Sequence, residues 1–134
     1  MKQLSLKHIL QQLLLEYMKS DPKAIKAAIA EIKVMNDKDP KVFIDAVNID
    51  GRLWIGGITS TEKGVGNATK AMGEVCKIAD KHNVIISLQP LPYGKDPKRL
   101  NTDQLIAFYK KFGFKFEEGE EGWGDMERFP NQNS

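Results

Sequence analysis

Residues 59–75 read TSTEKGVGNATKAMGEV, and the reading of this stretch decides how the rest of the chain is organised. It leaves a β-rich run, passes through Gly64 and Gly66, and continues with Ala68, Ala71, Met72 and Val75 at helical spacing. With VIISLQPLP following at 84–92, the order is strand, glycine turn, helix, short buried strand. Two strands joined in this way should be parallel, with a right-handed crossover. A helix that starts just after glycines leaves first-turn amides without helical acceptors, beside the positive end of its macrodipole. Without a Cβ in the way, a phosphate can approach them, although a paired glycine also serves as a plain tight connection. The dinucleotide fingerprint needs a third glycine where Thr69 stands, and a P-loop needs a glycine-lysine-hydroxyl run that is absent. Both of those nucleotide readings are excluded.

Upstream, KVFIDAVNIDGRLWIGGITS (41–60) splits at Asp50-Gly51, a pair suited to the positive φ angles of a two-residue hairpin. Gly56 and Gly57 mark either a close backbone approach or a bulge. Before the hairpin, SDPKAIKAAIAEIKVM sets Asp21 as N-cap and Pro22 at the first helical position. Ile25, Ala28, Ile29, Ile32 and Met35 then share one face. A further helix is expected over the N-terminal stretch, where Leu6, Ile9, Leu10, Leu13, Leu14, Tyr17 and Met18 form a stripe able to be buried.

Downstream of the crossover, Lys81, His82 and Asn83 should close the helix that begins near Ala68. YGKDPKR (93–99) reads as loop, and Asn101 with Gln104 makes a capping box that starts a helix ending before Gly113. FKFEEGEEGWGDMERF (114–129) reads as two short strands about a glutamate-glycine turn. The sum is an α/β (α+β) fold: a mixed, mainly antiparallel sheet flanked by about four helices.

The length of 134 residues suits one domain over 1–134. A formal charge of +2 is too mild for a dedicated nucleic-acid binder. Charge is uneven along the chain: residues 81–111 hold six Lys or Arg against two Asp, and 115–134 hold two against six acids. Those regions either face an anionic cofactor and a cationic substrate or are solvated surface. Cys76, the single cysteine, has no disulfide partner and no metal-ligand cluster around it, which fits a reducing cytoplasm. The N-terminal stretch holds no apolar run of membrane-spanning length and no small-residue cleavage site, so no membrane partner is expected.

Taken together, STEKGVGNA with its helix, VIISLQ, and LIAFYKKFGFK resemble the middle and C-terminal half of the GCN5-related N-acetyltransferases, the GNAT family. Gly64 and Gly66 match its Arg/Gln-x-x-Gly-x-Gly/Ala turn, and Tyr109, Gly113 and Phe114 match its Tyr-x-x-x-Gly-Phe helix end. The resemblance covers roughly residues 41–130 and departs at Thr61, which stands at the Arg/Gln position. A second departure is an early strand that is missing or very short.

The resemblance implies acetyl-CoA as cofactor and a primary amine, on a small molecule or a protein, as acceptor. Backbone from Ile58, Thr59 and Ser60 would pair with pantetheine beside a parallel strand pair that splays there. Thr61 and the amides of Lys63, Gly64, Val65, Gly66, Asn67 and Ala68 would hold the pyrophosphate. A valine at Gly66 is therefore expected to weaken binding with the fold intact. Tyr109 would protonate the leaving thiolate, unless its ring is a half-buried packing group with the hydroxyl in water. The central strand carries no acid, so Asp45 on the preceding strand is the nearest candidate base, directly or through water; it equally suits the sheet surface. Trp54 and Trp123 would line an acceptor pocket or fill the core, while His8 and His82, in helical segments, are expected to pack or to serve a helix end. The alternative is a non-enzymatic GNAT-like binding or regulatory protein that retains the scaffold, with or without CoA; a monomer or homodimer is expected.

Overall fold

The computed structural model describes residues 5–7, 9–10, 20–60, 66–92, 100–116 and 124–130. In these, three helices flank a five-stranded sheet: α1 (Pro22–Lys38), β1 (Val42–Ile49), β2 (Arg52–Ser60), α2 (Asn67–His82), β3 (Ile86–Leu88), α3 (Thr102–Lys110), β4 (Lys115–Phe116) and β5 (Met126–Arg128). The strand order is β1-β2-β3-β5-β4, with β2 and β3 parallel and the other three pairings antiparallel. This is the mixed, mainly antiparallel architecture expected, and it is compatible with a GNAT-like fold.

The local signals act where they stand. Asp21 accepts a hydrogen bond from Lys23 N at 2.9 Å to start α1. Asp50 (φ 52°) and Gly51 (φ 76°) take the left-handed angles of the tight hairpin. Asn101 and Gln104 close a reciprocal capping box at the head of α3. Gly113, at φ 93°, turns the chain from α3 into β4.

Burial of one face of the sheet against α1 and α2 assembles the core. Ile25, Ala28 and Ile32 of α1 meet Ala71, Met72, Val75 and Ala79 of α2 over Ile44, Leu53, Ile55, Ile86 and Leu88. Each large aliphatic group removed from water contributes about 1.5–3 kcal/mol. Tyr109 and Phe114 join the same core from the end of α3. Two polar anchors set its edges. Ser20 donates its N–H to Gly51 O at 3.0 Å and accepts Ile85 N–H on its hydroxyl at 2.9 Å, tying the head of α1 to the hairpin and to the approach to β3. Asn36 grips Ile44 of β1 through both N–H and C=O, each at 2.9 Å.

At the N-terminus, residues 6–7 and 9–10 are helical, as the periodicity predicts. The expected burial of the stripe does not hold for them: Leu6, Ile9 and Leu10 are 73%, 42% and 51% exposed. Helical spacing reports that a stripe exists, and it carries no information on whether a surface lies opposite it. The rest of that stripe, with His8, lies outside the described residues. Among the described residues no helix is long and apolar enough to cross a membrane.

Candidate functional site

β2 and β3 pair over three residues, from Leu53↔Ile86 to Ile55↔Leu88. β2 then runs on to Ser60, whereas β3 stops. The chain after β3 is Gln89-Pro90-Leu91-Pro92, where proline has no N–H to offer and Leu91 N–H turns back to Gln89 O at 2.8 Å. The flank of Gly56–Thr59 that faces away from β1 therefore has no neighbouring strand among the described residues. β3 thus ends where the resemblance implies that the parallel pair splays.

The register between β1 and β2 shifts at Asp45/Ala46, which face Gly57 and Ile55. Gly56 is the extra residue, so the bulge reading of the paired glycines holds. A Cβ on Gly56 would lie 2.8 Å from Asp45 Oδ2. Asp45 is thus exposed on β1 with its carboxylate over the bulge, at the point where β2 leaves β3. Along the open flank Ile58 and Ser60 are half-buried and Thr59 is exposed.

At the head of α2, Gly66 stands at φ 77°, ψ 10°, with no side-chain cap and no acidic residue in the first turn. Its carbonyl accepts from Lys70 N at 3.0 Å, so the helix ladder begins only there. Among the described residues nothing lies within 4 Å of where a Cβ on Gly66 would point. The open space and the uncompensated positive end of the helix suit an anionic group. Asn67 and Ala68 form the first turn. The left-handed backbone also corrects an expectation: a β-branched residue is strained at φ 77°, so valine at Gly66 perturbs the fold as well as the cradle. Thr61, Lys63, Gly64 and Val65 lie outside the described residues. A groove of about 460 Å³ follows the seam of α1 and α2 and reaches Asn67, with Met35, Val42, Ala71 and Ile78 on its apolar side and Lys38 and Lys70 at its rim.

Tyr109 is 6% exposed, with its ring edge-on to Phe108 at 5.3 Å and to Phe114 at 5.6 Å. Its carbonyl accepts from Phe112 N and Phe114 N and closes the end of α3. Tyr109 is thus a core residue, buried more deeply than a half-buried helix aromatic. Trp54 is half-buried on β2, while Trp123 lies outside the described residues. His82 hydrogen-bonds Glu31 across the α1–α2 seam, and Lys81 joins the same carboxylate at 2.9 Å. His82, then Lys81, hold Glu31 below its usual pKa.

The sequence reading misses two part-buried ion pairs. Arg128 forks onto Asp80 at 2.8 and 3.0 Å and donates Nε–H to Phe112 O at 2.7 Å. Arg52 meets Glu127 at 2.6 Å, with Glu127 8% exposed. Their partners stand 48 and 75 residues apart, and no local pattern links them. Cys76 is buried and its thiol is pushed up to about 11, chiefly by burial. It is no nucleophile at neutral pH, which removes an acyl-cysteine route through this residue.

No family model matches the chain, and no curated protein matches it. Among solved structures it is similar to the crystal structure of the anti-CRISPR protein AcrVA5, with a TM-score of 0.54 and 20% identity. The likeness covers 66% of this chain and 90% of that one. At that identity it is a likeness of fold.

Proposed function

We propose that this chain is an N-acetyltransferase that moves an acetyl group from acetyl-CoA to a primary amine by direct attack. One juxtaposition carries the reading: β2 leaves β3 along Gly56–Thr59, and the chain then delivers an uncapped helix N-terminus at Gly66. The fold likeness to AcrVA5 supports the scaffold.

Backbone groups of Ile58, Thr59 and Ser60 would hold the pantetheine arm. Thr61 and the amides of Lys63 to Ala68 would hold the pyrophosphate. When bound, acetyl-CoA supplies an activated thioester carbonyl. Two proton tasks then fall to the chain. A lysine-like amine, with a reference pKa near ~10.4, must lose a proton, and Asp45 at the bulge would receive it through a water. The departing thiolate must gain one, and the Tyr109 phenol, ordinarily near ~10, would supply it.

A second reading, a module that binds CoA without turnover, is favoured by one observation: the Tyr109 ring packs among Phe108 and Phe114 in the core. Calorimetry with acetyl-CoA comes first, and absence of binding to the folded protein would end both readings. Thiol release over a panel of amines then separates them. Under the enzymatic reading Tyr109→Phe, which keeps the ring, lowers turnover by about 10²–10⁴-fold with little change in acetyl-CoA affinity.

A further inference from the structure

β1 is the edge of the sheet described, and its outer side is only partly covered. The two bonds from Asn36 show that the N–H and C=O of Ile44 point outward. Backbone direction alternates along a strand, and the extra residue of the bulge is on β2, so Ala46 and Asn48 point outward as well. Among the described residues no donor or acceptor meets their main-chain groups. The open segment is bounded on both sides. Asn36 closes it at Ile44, and the Asp50-Gly51 turn ends the strand after Ile49. What remains is Asp45–Ile49, centred on Val47. On one face of this segment and its approach, Phe43, Val47 and Ile49 are 56%, 42% and 49% exposed.

Natural edges are usually blunted by charged side chains, lysine above all, by proline or by a bulge in the edge strand itself; VFIDAVNI has no lysine, proline or bulge, and its one charge, Asp45, lies at the end of the open segment with its carboxylate against Gly56 of β2. We propose that this edge pairs with the same edge of a second copy of the chain. The pairing is antiparallel about a two-fold axis at Val47, and the two sheets become continuous.

The register follows from the geometry. Outward-pointing Ala46 and Asn48 exchange hydrogen bonds with Asn48 and Ala46 of the second copy, and Val47 faces Val47 as a non-hydrogen-bonded pair. One step further, Ile44 stands opposite Asp50 of the second copy. The Asn36 clamp and the hairpin turn therefore end the ladder at the same step, and neither obstructs it. Any other register drives one copy's turn or clamp into the other's open segment. A two-fold contact needs one self-complementary patch, which this centred segment supplies. Five residues and three exposed apolar side chains fall well short of the ~800 Å² per partner of a standard interface. The dimer is accordingly weak, with a dissociation constant in the micromolar range or above.

Sedimentation of the full chain from about 10 µM to about 1 mM should show a monomer–dimer equilibrium. Val47→Lys places two ammonium groups face to face and should abolish the dimer, as should Val47→Glu with its two carboxylates. An equimolar mixture of the two variants should dimerise again, since each lysine then meets a glutamate. Val47→Cys should form an intermolecular disulfide on mild oxidation, because Cα atoms of such a pair lie about 4.5 Å apart. Ile49→Cys, facing Asp45 of the second copy, should not, and the buried native Cys76 serves both as background. A wild-type monomer throughout that range overturns the proposal. So does a dimer that Val47→Lys leaves intact, provided circular dichroism shows the variant folded, or one that the mixture fails to restore.

Discussion

The two ends of α2 are built differently. At the C-terminal end Asn83 takes the left-handed conformation, and its N–H reaches Ala79 O and Asp80 O. Lys81 and His82 converge on Glu31, while Asp80 is gripped by the Arg128 fork. At the N-terminal end Gly66 brings no cap, the first turn brings no acid, and space is open above the backbone. The protein has satisfied one end with its own side chains. The finished end fixes the helix against β5 and α1, so that the unfinished end can stay exposed without loosening the helix.

Breaking the finished end should have the largest effect. Arg128→Ala removes the fork and leaves Asp80 and Phe112 O without those donors, which should cost about 2–4 kcal/mol in urea unfolding. Arg128→Lys should recover little of this, because an ammonium cannot make the planar fork. At the other end, Gly66→Val should cost about 1–3 kcal/mol from the left-handed backbone alone. Gly66→Asn, which tolerates that conformation, should keep most of the stability yet put a side chain into the open space. Acetyl-CoA affinity of the asparagine variant therefore tests the cradle separately from the fold.

Between the two ends sits Gly73, half-buried in the body of α2 with no described residue within 4 Å of its missing Cβ. Gly73→Ala should raise stability by about 0.5–1 kcal/mol, seen as a higher denaturation midpoint. The smallest effect belongs to Glu31, which is 37% exposed and screened by solvent, so Glu31→Gln should cost about 0.5 kcal/mol or less at neutral pH. Its sign with pH is definite. A carboxyl held below its ordinary range contributes stability at and above that range and loses it as pH falls through the lowered folded value. The wild type and Glu31→Gln should therefore converge in stability as acidification passes the lowered folded value.

Signals that act through neighbours a few residues away were legible in the chain. Asp21-Pro22, Asp50-Gly51, Asn101 with Gln104, and Asn83 each determine their own backbone angles or cap, and each stands where the pattern places it. The parallel pairing of β2 and β3 was legible from period changes around one helix. Gly56 was legible only as a choice, because a glycine in a strand marks both bulges and close approaches, and the register decides between them. What sequence patterns do not carry is the long-range polar complement: Arg128 for Asp80, Arg52 for Glu127, Asn36 for Ile44. These pairs form because the fold brings separate segments together, and each residue alone reads as ordinary surface. The exposure of Leu6, Ile9 and Leu10 belongs to the same class, since burial needs an opposing surface. In the candidate site, the left-handed Gly66 at the head of α2 was legible from the glycine turn, Asp45 belongs to no motif and is placed over Gly56 by the register of the hairpin, and the depth of Tyr109 follows from its packing on Phe114.

Ser20 has a consequence for the order in which the molecule assembles. Its hydroxyl holds Ile85 from 65 residues away, and its amide holds the hairpin turn. Closing a loop of that length costs entropy before the bond returns anything, so such a contact forms after the local helices and the hairpin are in place. The parallel strand β3 thus acquires its last restraint from the far N-terminal side of the chain. Contacts made last in folding are absent from the transition state, and strengthening them slows unfolding rather than speeding folding. Ser20→Ala is accordingly expected to raise the unfolding rate more than it lowers the folding rate, acting at the end of the β2–β3 pair opposite the one where β3 stops.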